Sequence, residues 1–396
     1  MIRSTVAHVD LNALKANLRA IQEYLSSEPG RTAPGIIAVI KANAYGHGSP
    51  RVARALEEAG ATMLACADIE EGIVIRQAGV RVPILVFGAL SVSDLDGLFE
   101  YSLTPTISTP GAARAVQAAA ATRSTTIAYH LKIDTGMNRL GFRHDNLRRT
   151  LPDLLRSPNL RLEAVYTHFA SADVPESPTF SQQRERFESV WDVARDLIRD
   201  VRRGESSAFA KATADKSDPP VIRHAANSAA TLRDSRVWYD AVRPGLLLYG
   251  IVPPPLASTI ALEPVMSLTS RVVAVKGLRP GEAVGYGGRF QTSEPRTVAV
   301  VPAGYADGLD TRLCGRGYVL VRGRRAPIVG AVSMDMITID VTDHGEVQPG
   351  DEVVLLGKQG DETWQRIDAR EVAAAIGTIP WEVVCRLGTR IERQYD

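Results

Sequence analysis

Gly35-Ile-Ile-Ala-Val-Ile-Lys41-Ala-Asn-Ala-Tyr45-Gly-His47-Gly48 opens as an apolar, β-rich run and closes on a lysine. It then passes through two glycines into an amphipathic stretch, Pro50–Ala59. Further β-rich runs follow at Thr62–Ala67, Pro83–Phe87, Thr104–Ser108, Ile127–Asp134, Arg161–His168, Val221–His224 and Val242–Tyr249. Helical patterns at Ile69–Ala78, Pro110–Ala121 and Gln182–Arg203 separate several of them. Strand–helix alternation implies parallel strands joined by right-handed crossovers. Eight such runs within about 250 residues predict a closed (β/α)8 TIM-like barrel. A doubly wound open sheet is the alternative, because periodicity does not reveal closure.

After Pro253-Pro254-Pro255 the texture changes. Ser267–Lys276, Thr297–Pro302, Gly317–Val321, Ile337–Val341 and Glu352–Leu356 are short Val/Ile-rich runs between Gly, Pro and Asp turns, and helical patterning returns only at Ala369–Ile376. The expected class is therefore α/β plus β: a barrel domain over 1–261 and a mostly antiparallel β domain over 262–396. The small, polar segment Gly204–Asp218 is expected to be a mobile surface insertion.

Composition narrows the function. The 396 residues carry 46 Lys+Arg against 45 Asp+Glu, so binding to nucleic acid through bulk charge is not expected. Cys66, Cys314 and Cys385 form no CxxC pair, which argues against a disulfide framework and a structural zinc site. No apolar run reaches the roughly 18–20 residues of a membrane span. The N-terminus lacks signal-peptide order, so a cytoplasmic enzyme without a metal is the expectation.

A lysine at the C-terminal end of a barrel strand sits where such barrels build active sites. Loss of water there lowers an amine's pKa and suits it to Schiff-base and proton-transfer chemistry. A lysine that merely marks the strand's exit into solvent would read the same way in isolation.

Val39-Ile-Lys41-Ala-Asn-Ala-Tyr45-Gly-His-Gly resembles the pyridoxal-phosphate lysine signature of the alanine racemases. Val9-Asp-Leu-Asn-Ala-Leu, His130-Leu-Lys132-Ile-Asp-Thr-Gly-Met-Asn-Arg139-Leu-Gly, Thr167-His168-Phe-Ala and His224-Ala-Ala-Asn227-Ser228 follow the same family in order. So do Val242-Arg243-Pro-Gly245-Leu246, Val284-Gly-Tyr286-Gly, Gly304-Tyr305-Ala-Asp-Gly and Ser333-Met334-Asp335. The resemblance spans almost the whole chain.

It implies pyridoxal 5'-phosphate held covalently on Lys41, and racemisation of L- and D-alanine by two bases, Lys41 and Tyr286. The phenol would reach in from the partner subunit of a homodimer, and the product would supply D-alanine for peptidoglycan. Arg243 is implied to face the pyridine nitrogen, with His168 orienting it. Tyr45, Asn227, Ser228 and the amides near Gly245 and Leu246 are implied to hold the cofactor and its phosphate. Ser228 reads equally well as the N-cap of the following helix. Arg139, Tyr305, Met334 and Asp335 map to substrate-carboxylate and gate positions, and Lys132 to a lysine that is often carbamylated.

The chain departs from the family in three places. Trp381 replaces a phosphate-binding tyrosine, and indole donates one hydrogen bond but accepts none. Ala331 stands where an arginine is common, and an expected arginine is displaced to Thr311 or Arg312. These changes bear on substrate breadth, leaving a broad-specificity, serine or basic amino-acid racemase as the alternative. A non-catalytic cofactor carrier on the same barrel would lack the β domain. A decarboxylase would be expected to place an acid, not Arg243, against the ring nitrogen.

Overall fold

The computed structural model describes residues 4–90, 94–209, 220–360 and 365–396. Ten strands precede Pro244: β1 (Val6–Val9), β2 (Gly35–Val39), β3 (Met63–Cys66), β4 (Ile84–Val86), β5 (Thr104–Ile107), β6 (Ile127–Asp134), β7 (Phe142–Arg143), β8 (Leu160–Tyr166), β9 (Ile222–Asn227) and β10 (Ala241–Arg243). Parallel pairing runs β2–β3–β4–β5–β6–β8–β9–β10. It returns to β2 through Ala241↔Gly35, so eight strands close a barrel. β7 adds only a short pairing outside β6.

Burial explains the apolar runs. Every residue of β6 from Tyr129 to Ile133 is buried, as expected for a parallel strand covered on both faces. Period-two alternation puts His130 and Lys132 on one face of β6, and Tyr129, Leu131 and Ile133 on the other. Helix Leu11–Ser26 starts at Asp10, whose side chain accepts the Ala13 amide hydrogen at 2.8 Å. It buries Leu14, Leu18, Ile21 and Leu25 as one stripe, each worth about 1.5–3 kcal/mol relative to exposure.

Three elements differ from the sequence reading. The last barrel strand stops at Arg243 rather than running to Tyr249, because Pro244 has no N–H for the ladder and the chain turns at Gly245 into a 3-10 segment, Leu246–Tyr249. Helix Pro178–Phe209 continues through 204–209 instead of giving way to an insertion, since extending an established helix adds one hydrogen bond per residue fixed. Residues 210–218 of that expected insertion lie outside the described residues.

β1, which sequence order groups with the barrel, pairs antiparallel with Met266–Arg271 and parallel with Glu392–Tyr395. Its partners are more than 250 residues away, so no local pattern could name them. It is an inner strand of a second, largely antiparallel sheet that also contains Ala274–Leu278, Arg296–Val301, Ile337–Asp340, Arg324–Val329, Tyr318–Val321 and Glu352–Gln359. Among the described residues no helix is long and apolar enough to cross a membrane.

Candidate active site

The C-terminal ends of the barrel strands open into a cavity of about 530 Å³. Lys41, Tyr45, Lys132, Arg139, His168, Asn227, Ser228, Arg243, Gly245, Leu246 and Trp381 all line it. Its volume suits a small ligand together with a cofactor.

Lys41 stands just past the end of β2, after Ile40, and begins an unusual turn. Ala42, Asn43, Ala44 and Tyr45 have φ of 53°, 53°, 55° and 52°, a left-handed run without a glycine, at about 1–2 kcal/mol per residue. The surroundings hold it. Glu71 Oε1 accepts the amide hydrogens of Ala42 at 2.6 Å and Asn43 at 3.3 Å, and Glu71 Oε2 accepts that of Ala67 at 2.8 Å. Asn43 Oδ1 accepts the Ser49 amide hydrogen at 2.8 Å, and Arg393 Nε donates to the Gly46 carbonyl at 2.6 Å. Gly46 has φ 82°, and a Cβ there would sit 2.2 Å from the Val384 carbonyl oxygen. Only glycine lets the turn and the C-terminal helix approach so closely. The Lys41 amine is held below its ordinary value, first by loss of water and then by the charge of Arg139.

Arg243 is 3% exposed and spends its donors on acceptors. Nη1 donates to His224 Nδ1 at 2.8 Å. Nη2 donates to the carbonyls of Thr167 at 2.8 Å and Ala225 at 2.9 Å, and to His168 Nδ1 at 3.2 Å. The guanidinium also lies 5.2 Å from the Tyr166 ring. Burial pushes it down to about 10, so it remains a cation near neutrality. His168 and His224 are held well below the usual imidazole range by burial, then by Arg243.

Tyr45, Ser228 and Gly245 meet at one wall. A Cβ on residue 245 would stand 2.5 Å from Tyr45 Oη, so the missing side chain keeps this corner open. Ser228 Oγ accepts the Gly245 amide hydrogen at 2.9 Å. The cap of helix Ser228–Arg233 is Asn227, whose side chain accepts from Ala230 N, and this leaves the Ser228 hydroxyl for Gly245. Two hydroxyls so arranged at the turn before Leu246 fit a phosphate. Trp381 borders the cavity from helix Pro380–Cys385.

Lys132 is 5% exposed and 5.7 Å from the Tyr166 ring. Burial, and then Arg139 and Arg243, lower it to about 8. Among the described residues no carboxylate forms an ion pair with Lys132 or Arg139.

The remaining predicted residues lie elsewhere. Tyr286, Tyr305 and Met334 are 77%, 46% and 52% exposed and do not border the cavity of their own chain. Asp335 is also absent from it and pairs with Arg390 at 2.7 Å. Tyr305 and Met334 belong to one patch, because Tyr305 N donates to the Ser333 carbonyl and Ala306 N to that of Met334. The Tyr286 turn abuts Ala331. Arg312 is engaged by Asp310 at 2.7 Å.

Sequence reasoning passed over Glu71, His130, Glu163 and His224. Asp68-Ile-Glu-Glu71 carries a helix-start signature, which locates Glu71 but not the turn it reaches. His130 is two residues from Lys132 on the same strand face, a spacing that could have flagged it.

Residues 9–253 match the family described as alanine racemase, N-terminal domain, and 265–395 match its C-terminal domain. The chain is 38% identical to an alanine racemase of Halothermothrix orenii, covering 99% of this chain and 97% of that one. It is 40% identical to one of Sorangium cellulosum, covering 100% and 99%. A crystal structure of alanine racemase from Bacillus anthracis with bound L-Ala-P superposes with a TM-score of 0.85 at 35% identity, over 100% of this chain and 96% of that one. Barrel, second sheet, cavity and relatives agree: the chain belongs to the alanine racemase family of enzymes.

Proposed function

We propose that the protein racemises L- and D-alanine with pyridoxal 5'-phosphate, using Lys41 and Tyr286 of a second copy as the two bases. The product would supply D-alanine for peptidoglycan, in the cytoplasm, where three unpaired thiols stay reduced. The observation that carries this reading is that Lys41 and Arg243 face one cavity, an amine eased toward its neutral form beside a buried, donor-only cation.

The residues present fit the cofactor. Tyr45, Ser228 and the Gly245–Leu246 backbone, with Asn227 and Trp381 beside them, would hold its phosphate end. Arg243, steadied by His168, would face its ring nitrogen, and Lys41 would take its aldehyde. Once bound, the cofactor supplies the electron withdrawal that makes the substrate's α-hydrogen acidic.

The chain's own groups do the rest. Lys41 Nζ, held below its ordinary value at the cavity, is available to take and return a proton on one face. Arg139, without an ion-pair partner among the described residues, offers charge-assisted hydrogen bonds to the substrate carboxylate. Arg243 opposes a proton on the ring nitrogen, because two like charges would be adjacent. Carbamylation of the Lys132 amine would give Arg139 an anionic neighbour.

Inversion needs a second proton carrier on the opposite face. Tyr166, on the cavity wall, is pushed up to about 12 by burial and makes a poor base. Tyr45 is raised as well. Tyr286 is exposed, on a turn that abuts Ala331, which suits insertion into a second copy and a homodimer with shared sites.

The test is circular dichroism of L- or D-alanine incubated with purified, cofactor-loaded protein. Decay of either enantiomer to the racemate is expected, and persistence of both overturns the reading.

A further inference from the structure

Behind Arg243 a polar chain crosses the barrel interior that the two-base reading does not use. Arg243 Nη1 donates to His224 Nδ1 at 2.8 Å. His224 Nε2 lies 3.0 Å from His130 Nδ1, and the buried His130 Nε2 has no hydrogen-bond partner among the described residues. The carboxylate nearest that nitrogen is Glu163, with Oε2 at 3.7 Å. Its Oε1 lies 3.6 Å from Arg161 Nη2.

The backbone aims Glu163 there. On β6 and β8, Tyr129 pairs with Leu162 but His130 pairs with Ala164, so Glu163 is the extra residue of a β-bulge. Bulges beside active sites re-aim a side chain that regular alternation would send to the other face. Here the bulge brings a carboxylate to a ring on the inner face of β6.

Donor chemistry sets the direction of the whole chain. A guanidinium only donates, so His224 Nδ1 must accept and its proton must sit on Nε2. His130 Nδ1 then accepts, and its proton sits on Nε2, directed at Glu163. A carboxylate only accepts, which fixes the far end in the same sense. Were the His130 proton on Nδ1, two N–H groups would meet at 3.0 Å and the link to Arg243 would break.

We propose that Glu163 is a positioning residue for Arg243: through the bulge it fixes both histidines as neutral Nε2–H tautomers, which keeps an acceptor against the guanidinium. This rests on the reading of Arg243 as the residue facing the cofactor ring.

The first measurement needs neither cofactor nor turnover. 15N-histidine NMR of the cofactor-free protein is expected to show Nε2–H on both His130 and His224. Glu163→Leu should move at least one ring to a tautomer mixture. Glu163→Gln, which keeps a neutral acceptor of the same shape, should retain the tautomers but shift the His130 Nε2 proton upfield. In the loaded enzyme, Glu163→Leu should lower kcat/KM about tenfold, chiefly in kcat, with most of it restored in Glu163→Gln, the size expected when a buried N–H loses the acceptor it faces. Nδ1–H on either wild-type ring, identical rings in wild type and Glu163→Leu, an unshifted proton in Glu163→Gln, or unchanged kcat/KM in Glu163→Leu each overturn the proposal. A wild type that racemises nothing removes the reading of function, while the ring tautomers still decide whether Glu163 sets the chain.

Discussion

The Glu71 carboxylate accepts the Ala42 amide hydrogen at 2.6 Å, and the Lys41 turn depends on that bond. Four left-handed residues without glycine persist only where neighbours over-determine them. With its other oxygen on Ala67 N, Glu71 ties the turn to the end of β3. Glu71→Ala should destabilise the protein by about 1–3 kcal/mol, because it removes three hydrogen bonds to one charged acceptor. Urea unfolding measures this, and absorbance at a fixed cofactor concentration should show weaker retention of pyridoxal phosphate. A variant as stable as wild type would mean the turn holds itself.

Gly245→Ala tests the cradle. The added methyl would stand 2.5 Å from Tyr45 Oη, so the ring must move or the corner must fill. Titration of the cofactor-free protein with pyridoxal phosphate should show apparent affinity reduced at least about tenfold, with little loss of stability. Unaltered affinity would place the phosphate elsewhere in the cavity.

Much of this was legible because barrel strands advertise themselves. Each of the eight apolar runs holds a barrel strand, the last only at its first two residues, and Lys41, Arg243 and His168 came together at the strands' C-terminal ends, since residues at strand ends share a barrel mouth. What escaped was long-range or directional. β1 finds its partners only after the chain has returned from residue 266 and again from 392. Glu163 looks like an outward-facing strand residue until the bulge turns it inward. Tyr305 and Met334 could be named from their strings, but the patch they share emerges only when Gly304 packs against the Met334 carbonyl.

If Tyr286 of one copy serves Lys41 of another, two dead variants should repair each other. Lys41→Ala and Tyr286→Phe homodimers would each lack one base at both sites. Mixed and allowed to exchange subunits, about half the dimers become hybrids with one intact site of two, so activity should return to about a quarter of wild type. Each variant alone should also wash deuterium from opposite enantiomers of alanine unequally. A mixture no more active than its components would put both bases in the same chain.

The amine of Lys132 gives a pH signature. Burial and the neighbouring cations lower it from 10.5 to about 8 in the folded protein. A depressed amine opposes folding wherever it is charged in both states, so the penalty is full below pH about 8. It fades as pH rises toward 10.5, where the unfolded chain also loses the proton. The gap corresponds to about 3 kcal/mol at about 1.4 kcal/mol per pH unit. In CO2-free buffer, Lys132→Met should therefore be more stable than wild type near pH 7, by an advantage that shrinks steadily toward pH 10. Bicarbonate should then stabilise wild type near pH 8 and leave Lys132→Met unmoved, because only a neutral amine forms a carbamate and the resulting anion faces Arg139. Urea midpoints across pH, with and without bicarbonate, measure both effects. Parallel pH profiles for the two proteins would show that Lys132 carries no such burden, and an equal response to bicarbonate would show that it is not the site of modification.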